Sequence, residues 1–289
     1  MILDNMIEPR ATDAKPVSAP ARWQGQLELW LEPRAGKTSL VRRRHIGPLV
    51  VQRPFYPERD GTTHIYLLHP PGGVAGGDQL EITCHLAPGA KALLTTPGAT
   101  KFYRSTPNLS EMRTIISLAD DAVCEFFPQE TILFDGADAS METLVHLSTG
   151  AIYVGWDFIS FGRPAANERF TFGTLRQRTS VLRDGRPIWF ERLRVDGGST
   201  LLDARFGLAG NPILGTMICA GPSIEGLADK IRETNDHVGF SVSQLERTLV
   251  CRYLGSDISE AKLLFTRAWE ILRPGILGKP AVAPRIWST

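Results

Sequence analysis

The sequence predicts a mainly β fold that ends in two α-helices, and two observations support this prediction. Eleven short β-rich runs precede residue 196, and 27 glycines and 20 prolines supply turns between them. This spacing is typical of layered all-β proteins. The runs are 27–31, 39–51, 64–69, 79–86, 91–96, 113–118, 123–127, 143–147, 152–158, 169–181 and 188–195.

Both helices are predicted after residue 220. The first spans 224–231, where apolar residues recur at helical spacing after Ser223, a candidate N-cap. The second begins with a capping-box pattern at Asp257 and continues as one apolar stripe. The Arg-Pro-Gly segment 273–275 is predicted to end it, because proline lacks a backbone donor and glycine favours a left-handed cap.

Composition indicates an ordinary globular chain of 289 residues, with 22% charged and 43% hydrophobic residues. Thirty-two Lys and Arg against 31 Asp and Glu leave a net charge of +1, so neither nucleic acid nor a membrane is an expected partner. The longest nearly apolar run, 211–221, is too short to span a bilayer, and no secretory signal is visible. Four scattered cysteines without a CxxC pair disfavour a zinc finger or disulfide scaffold and favour the cytoplasm.

Two segments are predicted along the chain. Residues 1–22 hold three prolines and no apolar periodicity, so we expect a mobile N-terminal tail. Residues 23–289 contain neither a linker nor a repeat of fixed period, and we expect them to form a single domain.

Charge is unevenly distributed beneath the neutral total. Segment 33–57 has six basic residues and no acid, whereas 114–162 has eight acids and no Lys or Arg. Segment 163–194 then carries eight arginines against three acids. Two interpretations stay open: the blocks neutralise one another across neighbouring strands, or the acidic block lines a cation-attracting surface or passage.

The densest local motif is the glycine-rich segment from His69 to Asp78. Four glycines in six residues permit close backbone approach, and His69 and Asp78 bracket the loop. An imidazole and a carboxylate suit a transient site for a borderline divalent metal. The alternative is a tight connection in which Asp78 bonds its own loop amides.

Two further motifs carry polar groups, but neither has catalytic spacing. Segment 95–104 combines hydroxyls, a basic pair and aromatics, and Glu130 follows an apolar strand within the acidic block. The sequence has no GxSxG or HExxH motif and no nucleophile–base arrangement, so the residues themselves give little support for an enzyme.

Taken together and in order, seven segments resemble the UreD family of urease accessory proteins, called UreH in some organisms. They are GPLVVQRPFYPE (47–58), HPPGGVAGGD (69–78), TTPGATKFYRS (95–105), PQE (128–130), GR (162–163), ERF (168–170) and PRIW (284–287). The resemblance covers nearly the whole chain after residue 22. One departure is Asn167, where the family pattern leads us to expect glycine.

The resemblance implies a non-catalytic maturation factor. Its fold would be an elongated, β-helix-like stack of strands with the two C-terminal helices. It would act with UreF and the GTPase UreG to deliver nickel to apo-urease, in a heteromeric complex or a dimer of such heteromers. An internal passage would carry the ion, so nickel would be in transit and no cofactor tightly bound.

A nickel path would need weakly held oxygen and imidazole positions, since a closed cage of His or Cys ligands would trap the ion. We expect Asp78, Glu130, Asp135 and Asp157 on this path, with His69 as an entrance or relay group. Two alternatives remain. One is a structural adaptor between urease and the UreF–UreG pair that nickel never enters. The other is a β-fold metalloenzyme that uses His69, Asp78 and Glu130.

Overall fold

The protein is seen in a computed structural model that describes residues 23–222 and 224–288, so the predicted tail and the Ser223 cap lie outside the described residues. The first nine strands are β1 (Gln24–Arg34), β2 (Lys37–Ile46), β3 (Val50–Val51), β4 (Thr63–Leu68), β5 (Gln79–Leu86), β6 (Lys91–Thr95), β7 (Thr100–Phe102), β8 (Ser110–Leu118) and β9 (Val123–Phe127). The next nine are β10 (Thr131–Leu133), β11 (Asp138–Leu147), β12 (Ile152–Arg163), β13 (Glu168–Arg169), β14 (Thr174–Arg183), β15 (Arg186–Asp196), β16 (Ile213–Ala220), β17 (Phe240–Leu245) and β18 (Thr248–Gly255). The helices are α1 (Thr200–Asp203), α2 (Leu227–Thr234) and α3 (Ile258–Leu277), with 3₁₀ turns at Pro164–Ala166 and Arg285–Ser288.

The strands wind into a β-solenoid, which confirms the predicted β-helix-like stack. In one wall β4, β6, β9 and β12 pair in parallel, so that His64 lies beside Leu93, Leu93 beside Glu125, and Glu125 beside Val154. Each coil therefore advances the chain by about 30 residues. Only the backbone repeats from coil to coil, because the residues that pair on neighbouring coils differ in type.

Two sheets face each other across the solenoid. The seven-stranded sheet has the order β15-β14-β11-β8-β5-β1-β2, and the path of the eleven-stranded sheet is β17-β18-β16-β12-β9-β6-β4-β3. Three short strands of the eleven-stranded sheet lie off this path: β10 pairs with β12 and β7, and β13 pairs with β12. Antiparallel strands complete the edges: β2 and β15 in the first sheet, and β16, β18 and β17 in the second.

Alternating side chains of the eleven-stranded sheet enter two separate cores. Leu94 and Phe126 belong to the core between the sheets, whereas Leu93 and Phe127 belong to the core beneath the helices. A sheet covered on both faces is apolar on both faces, which explains why all five residues of β9 are buried. The result is a three-layer arrangement of sheet, sheet and helices.

Helices α2 and α3 correspond to the two predicted helices, but α2 begins only at Leu227, after Gly226, and the predicted end of the second helix is wrong. Asp257 caps α3 as expected, since its carboxylate accepts hydrogen bonds from the backbone amides of Ser259 (2.7 Å) and Glu260 (3.4 Å). The helix continues through Pro274 to Leu277, and Gly278 caps it with a left-handed backbone, φ 65°. Tertiary contacts of the last turn compensate for the amide that proline lacks.

All eleven predicted strands have counterparts, with two of them divided by glycines. The run 39–51 breaks at Gly47 and the run 169–181 at Gly173, both with positive φ. Asn167 also has a left-handed backbone, φ 54°, a conformation that asparagine tolerates better than most residues, so it can stand where glycine was expected. Strands β7, β10 and β16 to β18 were not predicted, and the apolar run 211–221 contains β16.

Candidate metal passage

Two adjoining cavities lie inside the solenoid, between the two sheets. The outer cavity has a volume of about 270 Å³ and reaches His69, and the inner one has about 60 Å³ and reaches Asp157. The residues that line both are Leu67, Ile82, Thr96, Thr100 and Met112. These shared walls place the two cavities side by side, and a path from one to the other would run past Met112.

The wall formed by the seven-stranded sheet changes from apolar to polar along this route. In its register Leu80 pairs with Met112, Met112 with Met141, and Met141 with Gln177. Two residues further along each strand, the next row of paired side chains is Ile82, Thr114, Thr143 and Thr179. The pair of inward side chains is thus Leu and Ile on the first coil, Met and Thr on the next two, and Gln and Thr on the last.

His69 lines the outer cavity and has a nitrogen without a hydrogen-bond partner. Its Nε2 atom is buried and unpaired within the described part of the chain. Burial lowers the pKa of His69, and the nearby Asp78 charge only partly opposes this effect. The imidazole is therefore neutral near pH 7 and keeps a lone pair that a metal ion could use.

Asp157 lines the inner cavity from β12. Burial raises the pKa of its carboxyl to about 7, although a hydrogen bond with Gln177 acts in the opposite direction. Two charges also reach it: Glu191 raises the pKa and Arg252 lowers it, and these two side chains pair with each other at 2.8 Å. A carboxyl with this pKa exchanges a proton near neutrality, so a cation could compete with that proton for the carboxylate.

The other three expected residues are engaged in the architecture. Asp78 accepts a hydrogen bond from the Ala75 amide at 2.9 Å within its own loop, which is the alternative considered for this motif. Glu130 pairs with Lys262 of α3 at 2.5 Å. Their carboxylates therefore already have partners in this structure.

Asp135 links two successive coils through hydrogen bonds. Its carboxylate accepts hydrogen bonds from the amides of Thr171 (2.7 Å) and Phe172 (2.9 Å). Burial would raise its pKa, but these hydrogen bonds and the charge of Arg104 outweigh burial and lower it. The five expected residues do not converge, and residues 23–222 and 224–288 contain no group of three or more His, Cys, Asp or Glu side chains that could hold a metal.

Sequence reasoning missed a buried ionic network beneath α3. Arg273 is fully buried and donates to Glu125 at 2.8–3.0 Å and to Glu58 at 2.6 Å. The same carboxylates accept hydrogen bonds from Trp269 (2.6 Å, to Glu125) and His64 (2.9 Å, to Glu58). This network joins α3 to β9 and to the segment before β4, and it stabilises the last helical turn around Pro274.

The C-terminal segment extends this attachment. Lys279 contacts Glu58 at 2.8 Å and Asp60 at 2.9 Å, and the Trp287 indole donates to the Thr95 hydroxyl at 3.1 Å. Glu58, Thr95 and Trp287 all lie in segments that carried the family resemblance. These parts of the motifs are therefore explained by how the helical layer is held on the solenoid.

Ion pairs between adjacent coils account for part of the uneven charge. Arg176 pairs with Asp138 at 2.7 Å, and Glu142 pairs with both Arg178 and Arg113. The acidic block thus meets the following basic block on neighbouring strands, which supports the first interpretation for Asp138 and Glu142. It does not apply to Asp157, whose carboxyl lies at the cavity.

All four cysteines are buried and unpaired by disulfides. Burial raises the pKa of the Cys84 and Cys219 thiols to about 12. Neutral thiols are poor metal ligands, since thiolate is the form that binds. Within residues 23–222 and 224–288, no helix combines the length and apolarity required to cross a bilayer.

The fold and the site together define a β-solenoid with two adjoining, partly polar cavities between its sheets. Residues 24–288 match the model of the family described as UreD urease accessory protein. The chain is 56% identical over 270 residues to urease accessory protein UreD 2 of Brucella anthropi, covering 92% of this chain and 98% of that protein. It is 43% identical over 274 residues to urease accessory protein UreD of Azoarcus sp., covering 94% and 96%, and 41% identical over 269 residues to that of Klebsiella aerogenes, covering 92% and 97%.

The chain belongs to the UreD family of urease accessory proteins. Its role is therefore in the maturation of urease, and its partners belong to the urease machinery.

Proposed function

We propose that this protein is both scaffold and nickel passage in urease maturation, acting in the cytoplasm with UreF and the GTPase UreG. Nickel would enter beside His69, cross the two adjoining cavities and leave near Asp157 toward apo-urease. The observation that carries the proposal is the shared lining of these cavities, which joins an unpaired imidazole to a carboxyl of raised pKa.

Isolated donors suit an ion in transit. Ni²⁺ ranks high among divalent ions in its affinity for nitrogen, oxygen and sulfur ligands, so a site with several such donors would retain it. His69 and Asp157 lie at different ends of the route, and each offers one strong donor. The ion would bind at each position loosely enough to move on, with no tightly bound cofactor remaining.

The scaffold part of the proposal rests on the helical layer. The Arg273 network and the C-terminal segment hold α3 rigidly against the eleven-stranded sheet, while Leu263 of α3 stays half exposed. A rigid helix with an exposed apolar residue is suited to contact a partner subunit. We propose that the protein works in a heteromeric complex and performs no catalysis of its own.

The pure adaptor remains the second candidate, because a specific observation favours it. Asp78, Glu130 and Asp135 all make bonds that stabilise the protein itself, so three of the five expected path residues have structural roles in this structure. An adaptor would need such bonds and no passage. A metalloenzyme would instead show a stoichiometric bound metal and turnover by the single chain.

A cavity-filling substitution separates passage from adaptor. Thr143→Leu places a larger apolar side chain in the inner cavity, and Thr83→Leu makes the same change on the outer face of the same sheet. Urease activation would be reconstituted from purified components at limiting nickel, with complex assembly measured by size-exclusion chromatography. We expect Thr143→Leu to assemble normally but to slow activation strongly, and Thr83→Leu to behave as wild type.

Normal activation by the assembled Thr143→Leu complex would contradict the passage and leave the adaptor. The adaptor would also be favoured if urease activation were lost only in variants whose complex does not assemble.

A further inference from the structure

The inner cavity is the narrower of the two, with a volume of about 60 Å³ against about 270 Å³ for the outer cavity. An ion that crosses it passes close to the side chains that line it, and their donors can replace waters of its hydration shell. The chemistry of these donors therefore bears on which ions bind along the way.

Two methionines stand where the cavities meet. Met112 lines both cavities, and Met141, its register partner on the next strand, lines the inner one. On the far side follow Gln177 and Thr179, opposite Asp157. The donors at the outer end are thus imidazole nitrogen, thioether sulfur and threonine hydroxyls, and those at the inner end include amide, hydroxyl and carboxylate oxygen.

We infer that Met112 and Met141 select the cation that the passage accepts, an inference that rests on the proposed function. Thioether sulfur suits soft and borderline ions, whereas oxygen suits hard ions. Mg²⁺ gains little from the two thioethers and gives up its waters reluctantly. Cu⁺ finds no soft ligand beyond them. A borderline divalent ion such as Ni²⁺ uses donors of both kinds and can bind along the whole route.

The test replaces sulfur without changing volume. Met112→Leu/Met141→Leu keeps the size of both side chains, and such swaps are usually tolerated. The matched control is Met217→Leu, a buried methionine in the core beneath the helices. Nickel K-edge X-ray absorption of the nickel-loaded full-length chain would report the ligands, and equilibrium dialysis of nickel against excess Mg²⁺ would report selectivity.

We expect a sulfur scatterer in wild type and in Met217→Leu, and its loss in the double variant. We also expect nickel binding under Mg²⁺ competition to fall about tenfold in the double variant alone. A nickel shell of only nitrogen and oxygen in wild type overturns the inference, as does unchanged competition. If the double variant does not fold, the two single variants carry the same test, each with an intermediate loss.

A third variant separates this inference from the proposed function. Asp157→Asn removes the charged donor at the inner end and leaves both methionines in place. If Asp157→Asn weakens nickel binding but the methionine variants do not, selection by sulfur is refuted and the passage stands. If neither change affects nickel binding, the passage itself is contradicted.

Discussion

Replacing Arg273 with methionine should lower the free energy of unfolding by about 3–5 kcal/mol, the usual cost of removing one partner from a buried ion pair. Methionine keeps the unbranched stem and a high helix propensity, so the change mainly removes the guanidinium. Glu125, 1% exposed, would retain only the Trp269 indole, whereas Glu58 would still have His64 and Lys279. Most of the loss should therefore come from Glu125.

The measurement is urea unfolding at pH 7, followed by tryptophan fluorescence. Arg267→Met is the matched control, because Arg267 lies on the same helix and is exposed, and it should change stability by less than about 0.5 kcal/mol. Adding Glu125→Gln to Arg273→Met should restore part of the loss, since a neutral amide costs less to bury than an unpaired carboxylate. If Arg273→Met and Arg267→Met agree within about 1 kcal/mol, the network does not hold α3 as described.

Three further predictions follow from the same contacts. The pKa of Glu58 is lowered to about 2, because its hydrogen bonds with His64, Arg273 and Lys279 outweigh burial. The free energy of unfolding should therefore fall as the pH drops from about 4.5 to 2. Glu58→Gln should make the free energy of unfolding less dependent on pH in this range, and an unchanged dependence would contradict the lowered pKa of Glu58. Burial raises the pKa of Asp157 to about 7, so its ionised form destabilises the folded protein at higher pH. Asp157→Asn should therefore raise the free energy of unfolding by about 1–3 kcal/mol at pH 8, and this gain should shrink as the pH falls from about 7 to 4. Equal gains at both ends of that range would refute the burial argument. Glu130→Gln should impair urease activation only as much as Lys262→Met does, if their ion pair is structural, whereas a larger effect of Glu130→Gln would favour its place on the nickel path.

The sequence was sufficient for most strands before residue 196, but not for β7, β10 or β16 to β18. Alternating apolar runs and turn glycines located all eleven predicted strands, because a half-buried strand leaves a local pattern. The three-residue strands β7 and β10 leave no such pattern, and only their pairing with other coils defines them. The predicted end of α3 was wrong for the same reason. Pro274 locally favours the end of a helix, but contacts of Arg273 with residues distant in sequence stabilise the last turn.

The candidate site was less predictable, because its residues meet only in the folded chain. His69 and Asp157 do line the two cavities, but nothing near them in sequence distinguishes Asp157 from the other acids of its block. Glu125 belongs to the same block, yet its partner Arg273 lies 148 residues away. Met112 and Met141 look like ordinary core residues in the sequence, and only the strand register places them side by side on the cavity wall.

The central claim, that nickel enters the interior of this protein, is tested most directly by anomalous X-ray scattering at the nickel edge from crystals of the nickel-loaded complex with its partners. The account predicts a nickel peak between the two sheets, within bonding distance of the Asp157 carboxylate. Nickel peaks confined to the outer surface, with only ordered water or empty space between the sheets, would contradict it.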